Sequence, residues 1–186
     1  EVASARLSAG QFAAHVQRAP IPYHAWYAHL HAGMFALTEG DLAAAASHAA
    51  KIEPVGTGQE MMVRINLECI RAEIQMAAGR GLSLAAARSM EETLERTMGL
   101  GWMVRSHRVA LEFGPGPELE HSLDDALATS AVRDPGEDAL ACYTSIAVGA
   151  ALGGSAVHAR RLMERLEPYS GHWVILANGA SCRGPV

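Results

Sequence analysis

Residues 23–53 read YHAWYAHLHAGMFALTEGDLAAAASHAAKIE, and two helical periods run through them. Trp26, Leu30, Gly33, Met34 and Leu37 fall at i, i+4, i+7, i+8 and i+11, which is one face of a helix from Tyr23 to Glu39. Leu42, Ala45, Ala46, Ala49 and Ile52 form a second face, on a helix from Asp41 to Glu53. Gly33 and Ala45 are small enough for two helix axes to approach closely. Gly40 can adopt the positive φ that ends the first helix, and Asp41 can cap the second. The stretch predicts a helical hairpin.

The rest of the chain repeats this unit. Before it, Leu7, Phe12 and Val16 lie at loose helical spacing in residues 1–19, and Pro20 and Pro22 end that segment, with Pro22 suited to a first helical turn. Residues 54–58 read as a turn. From Gln59, Met62, Ile65, Cys69, Ala72 and Met76 form one stripe and Met61, Ile70, Ile74 and Ala77 another, as on a helix packed from two sides. Ser83 can cap the partner helix, whose stripe is Ala86, Met90, Leu94 and Thr97. Trp102, Ser106, Val109 and Phe113 share a face of the next helix, and Leu119, Leu123, Ala126 and Leu127 mark its partner. Asp134-Pro135-Gly136-Glu137 has the pattern of a helix start, and Leu140, Tyr143, Ala147, Ala150 and Ala151 are the expected inner stripe of the helix it opens. Gly153-Gly154-Ser155 turns the chain into Ala159, Leu162, Met163 and Leu166. The expected hairpins are 22–53, 59–98, 102–130 and 134–167, with residues 172–186 as the start of a further repeat.

Composition supports this reading. Hydrophobic residues make up 49% of the 186, yet aromatics only 5%, and alanine-rich, aromatic-poor chains favour closely packed helices over sheets. A formal charge of −5 argues against direct nucleic-acid binding by this region. Cys69, Cys142 and Cys182 lie far apart and read as reduced core thiols, consistent with a cytoplasmic setting. Residues 139–157 carry no charge, but Thr144, Ser145, Gly149, Gly153, Gly154 and Ser155 interrupt them, so a buried repeat helix is expected and not a membrane span. The start at Glu1 and the stop after Gly184-Pro185 suggest a fragment of a longer chain.

Gly33 and Ala147, Gly40 and Gly154, and Ala45 and Ala159 are each separated by three periods of 38 residues. Helical hairpins repeating at such a period indicate a tetratricopeptide-like α-solenoid. The run Trp26-Tyr27-Ala28 through Glu39-Gly40-Asp41-Leu42-Ala43-Ala44-Ala45, with Ala159-Arg160-Arg161-Leu162 through Leu166-Glu167-Pro168-Tyr169 and the segment Gly179 to Val186, resembles the helical-repeat region of large actinobacterial regulators. These are ATP-binding transcriptional regulators of the LuxR and antibiotic-regulatory types, and related ATPase-cyclase proteins. The resemblance implies a sensor or arm region, with an ATPase module before it and a DNA-binding or cyclase module completing the protein. This chain has neither G-x-x-x-x-G-K-[ST] nor a helix-turn-helix signal.

Candidate binding residues come from polar stripes on the first helices of hairpins. His24, Tyr27 and His31 share a face of the organising helix; no third ligand at suitable spacing supports zinc there. Arg64, Glu68 and Arg71 lie at i, i+4 and i+7, and Arg105, Arg108 and Glu112 at i, i+3 and i+7. On a concave face these arginines could receive an acidic peptide or a phosphorylated ligand; equally, they could pair with carboxylates along their own helices. Asp124-Asp125 lacks the further carboxylate a metal site would need, and Ser145 is not at a nucleophile elbow. The expectation is an all-α, non-catalytic binding arm without cofactor or metal. Its partner would be a peptide, a small effector, another module of the same protein or a second copy. The alternatives are an all-α enzyme with a pocket between helices and a purely structural dimerisation scaffold.

Overall fold

The computed structural model describes residues 2–52, 60–132, 139–171, 173–176 and 181–185. The helices are α1 (Val2–Arg18), α2 (Pro22–Thr38), α3 (Leu42–Ala49), α4 (Glu60–Ala77), α5 (Leu84–Met98), α6 (Trp102–Phe113), α7 (Pro117–Val132), α8 (Ala139–Leu152) and α9 (Ala156–Leu166). A 3₁₀ turn, Glu167–Tyr169, follows α9, and β1 (Trp173–Leu176) pairs with β2 (Ser181–Pro185). The described chain is therefore helical except for its last two short elements. The predicted connection at 54–58 and helix start at 134–137 lie outside the described residues.

Two compact units divide the chain: Glu1–Gly81 with Ile175–Arg183, and Leu82–Val174 with Gly184–Val186. The expected hairpin 59–98 spans this division, because α4 belongs to the first unit and α5 to the second.

In the first unit α2 packs on α1 and α3, and α4 packs on both α2 and α3. The periodic residues of the organising hairpin supply the core: Trp26, Leu30, Ala49 and Ile52 meet Val63 and Ile70. Burying each of the large side chains stabilises by about 1.5–3 kcal/mol. Gly33 permits this proximity, since a Cβ there would lie 2.7 Å from Ile70 Cδ1 and 3.4 Å from His48 Cβ. Pro22 occupies the first turn of α2, as predicted. At its end Gly40 has φ +79°, the Asp41 N–H donates to the Ala36 carbonyl at 2.9 Å, and Asp41 Oδ1 accepts from the Ala44 N–H at 2.9 Å. The glycine satisfies the last carbonyls of one helix and the aspartate the first amides of the next.

In the second unit α6 packs on α5 and α7, and α8 packs on both α6 and α7. Trp102, Val109, Leu119, Leu123, Leu127, Cys142, Ile146 and Leu162 form the centre of its core. Gly154 reproduces the cap of Gly40: φ is +67°, and the Ser155 N–H donates to the Ala150 carbonyl at 3.0 Å. Gly40 and Gly154 thus end their helices with the same cap geometry.

Three expectations need correction. The inner stripe of α8 is Cys142, Ile146 and Ala150 with Ala141 and Ser145, whereas Leu140, Tyr143 and Ala147 are half-buried and Ala151 is exposed. A helix apolar all round gives no periodic contrast from which to choose its buried face. Phe113, placed on one face with Trp102, Ser106 and Val109, is 57% exposed although those three are buried, and Met163, grouped with Leu162, is 70% exposed. Within 172–186, expected to start a further repeat, the described residues 173–176 and 181–185 are strands and not helix. Trp173-Val174-Ile175-Leu176 is a short aromatic and β-branched run, which suits an extended backbone. The uncharged segment 139–157 yields only the 14 residues of α8, about 21 Å of rise. Among the described residues no helix is long and apolar enough to cross a membrane.

Candidate functional site

The densest arrangement of chemistry-bearing side chains lies where α5 faces α6. Ser83 caps α5 by accepting the Ala86 N–H, and Gly99 ends the helix at φ +64°. Glu95 then accepts the Gly101 N–H at the start of α6. Between these fixed ends, Arg88, Glu91 and Glu95 on α5 repeat the i, i+3, i+7 spacing of Arg105, Arg108 and Glu112 on α6.

Charges alternate across the seam. Arg105 Nε donates to Glu91 Oε1 at 2.9 Å, and its Nη1 lies 3.5 Å from Asp125 Oδ2 on α7. Arg108 donates from Nε to Glu91 Oε2 and from Nη1 to Glu112 Oε2, both at 2.5 Å, while Arg88 Nη2 donates to Glu112 Oε1. Burial opposes the charge on Arg108, but Glu91 and Glu112 outweigh it and hold its pKa above the usual value. Desolvation would raise the Glu112 pKa; hydrogen bonds from Arg88 and Arg108 instead pull it down.

This network floors an open groove of about 660 Å³ lined by Arg88, Glu91, Glu92, Glu95, Arg96, Arg108 and Glu112. Among the described residues Glu92 and Arg96, both exposed, have no ion partner. Glu95 has only the Gly101 N–H as a partner among the described residues, so the groove offers two carboxylates and one guanidinium, Arg96, beside the ion-paired Arg88, Glu91, Arg108 and Glu112. A ligand with only acidic groups would have to displace Glu91 or Glu112 to reach Arg105 or Arg108.

The other predicted residues lie in the first unit. His24 and His31 gather around Phe12 of α1, at ring separations of 5.8 and 6.3 Å, and Tyr27 lies 6.0 Å from His31 while stacking on Trp26 at 3.7 Å. Arg64 and Arg71 are exposed on α4, and Glu68 between them is half-buried. Neither arginine has an ion pair among the described residues.

Sequence reasoning missed Arg88, Glu91, Glu92, Glu95 and Arg96 because it searched first helices only; the matched spacing on α5 was the available signal. It also missed His158, whose side chain is buried between α7 and α9. Its Nδ1 lies 2.9 Å from Ser155 Oγ and 3.0 Å from Glu120 Oε2, and its Nε2 lies 3.2 Å from Asp124 Oδ1. Arg161 also donates to Asp124 at 2.6 Å, and this hydrogen bond, with that of His158, lowers the Asp124 pKa. Serine, histidine and aspartate thus stand in a row. Ser155 is largely covered, however, and Glu120 shares its imidazole nitrogen, so the arrangement braces α9 against α7 and presents no accessible nucleophile. Asp124 and Asp125 serve different neighbours, His158 with Arg161 and Arg105 respectively. Among the described residues no group of three or more His, Cys, Asp or Glu side chains is placed to hold a metal ion.

Compared with protein-family models, curated proteins and solved structures, the chain has no match.

Proposed function

We propose that this chain is a non-catalytic binding arm of a larger cytoplasmic regulator, and that the groove over α5 and α6 receives a polypeptide segment carrying both charges. The observation that carries this reading is the groove itself: it is open, lined by charged groups from two helices, and supplies Glu92 and Arg96 as available partners of opposite sign. A polypeptide can match both, and the neutralised network beneath resists a simple anion. Each unit is read as stacked tetratricopeptide-like hairpins. The support is that α4 packs on both helices of the hairpin before it, and α8 does the same on α6 and α7. The assignment to large ATP-binding transcriptional regulators rests on the sequence resemblance alone.

Selection of peptides from a displayed random library against the full chain tests the reading. The enriched peptides are expected to contain both acidic and basic residues and to bind at least tenfold more weakly to the Glu92→Lys, Arg96→Glu double variant, whose helical circular dichroism stays unchanged. Enrichment of peptides that bind the double variant as tightly as the wild type would overturn it, as would failure to enrich any.

A further inference from the structure

The organising hairpin of the first unit brings two imidazoles together. His29 of α2 and His48 of α3, 19 residues apart in sequence, place their Nδ1 atoms 3.3 Å from each other. The ring centroids are 5.6 Å apart and the planes are inclined by 38°. Both side chains are half-buried, so solvent reaches them.

We propose that His29 and His48 form a two-histidine site for a borderline divalent transition-metal ion such as Zn²⁺, Ni²⁺ or Cu²⁺, each ligating through Nδ1. A Zn–N bond is ~2.0–2.1 Å, so two imidazole nitrogens on one tetrahedral ion stand roughly 3.3–3.4 Å apart. The observed separation matches that bite. The backbones fix it, because Gly33 lets α3 approach until its own Cβ position would lie 3.4 Å from His48 Cβ. Without metal, one Nδ1–H donates to the lone pair of the other ring. The rings meet nearly head to head, so uptake requires them to tilt until both lone pairs converge on the ion, and the former donor then carries its proton at Nε2. Protons are conserved in that exchange.

The surroundings favour neutral ligands. Burial first, and then His48 and Lys51, lower the His29 pKa; burial and Lys51 lower that of His48. Metal ligation needs the unprotonated imidazole. The Lys51 ammonium acts in the opposite sense by repelling the ion. Among the described residues no third His, Cys or carboxylate completes the site, so water fills the remaining positions. Imidazole donors with open positions suit zinc, copper and nickel better than magnesium or calcium.

Calorimetric titration of the full chain with ZnCl₂ and with NiCl₂ at pH 7.5 tests the site. The expected result is one ion per chain, binding at least tenfold more weakly to His29→Gln and to His48→Gln, more tightly to Lys51→Gln and unchanged to His121→Gln, whose side chain is exposed on α7. Melting of the wild type with and without ZnCl₂ reads the same site independently of any variant: binding to the folded state raises Tm. No uptake, uptake that survives both histidine substitutions, or an unchanged Tm at saturating zinc would each overturn the proposal.

Discussion

Gly149 of α8 lies directly against Ser106 of α6: a Cβ on the glycine would fall 2.4 Å from Ser106 Oγ and 2.8 Å from its carbonyl carbon. The obstacle is partly backbone, which cannot swing away as a flexible side chain would. Gly149→Ala is therefore expected to destabilise the protein by about 1–3 kcal/mol. Gly33→Ala should cost less, because the nearest atom is the terminal Cδ1 of Ile70. Gly10→Ala, with nothing within 4 Å, should instead stabilise by about 0.5–1 kcal/mol, since alanine suits the interior of α1 better. Urea denaturation of the three variants checks this order.

The junction of α2 and α3 depends on two adjacent residues. Removing the cap in Asp41→Ala should cost about 1 kcal/mol. Gly40→Ala forces a Cβ into φ +79°, at a cost of roughly 1–2 kcal/mol, although nothing crowds the position. Thermal melts of both variants should show lowered Tm. An unchanged Tm in Gly40→Ala would mean that the turn has relaxed to another conformation.

Glu91 is the carboxylate shared by Arg105 and Arg108. Glu91→Gln leaves two guanidinium groups facing a neutral amide, and a loss of roughly 1–2 kcal/mol is expected from weakened charge-assisted hydrogen bonds. Because the network is partly solvated, the loss should shrink in high salt. Denaturation midpoints in low and high NaCl measure it.

The histidine pair sets a pH dependence. The folded-state pKa values of His29 and His48 lie below the ordinary 6.5, so the unfolded chain takes up protons first as pH falls. Their contribution is complete above about 6.5 and is lost as pH drops through that value toward the folded-state values. Stability should therefore decline between pH 7.5 and 5.5, and the slope should flatten in the His29→Gln, His48→Gln double variant. Asp124 and Glu112, whose pKa values are lowered from 3.8 and 4.5, add a separate loss only below those values. Urea midpoints followed from pH 7.5 down to about 3 distinguish the two phases.

Much of the helical framework was legible because it rests on local rules. The turn glycines Gly40 and Gly154, the caps Asp41 and Ser83, and the apolar period of α2 each predict structure within a few residues of themselves. What stayed hidden depends on which helices meet. The stripe of α8 was misassigned because Ala and Gly surround that helix, leaving the choice of Ile146 over Tyr143 to the shape of α6. Glu91 became important only when α6 supplied Arg105 and Arg108, and His158 only when α7 supplied Glu120 and Asp124. The pairing of His29 with His48 likewise depends on how closely α3 approaches α2, which the small Gly33 and Ala45 permit without stating which polar groups will touch.

The most direct measurement for the binding-arm account is hydrogen exchange of the full chain with and without a peptide enriched by selection. The account predicts that the peptide slows exchange in α5 and α6 around Glu92, Arg96 and Arg108, leaving α1 and α2 unchanged. Saturating peptide that leaves α5 and α6 unprotected, or protects another surface instead, would contradict it.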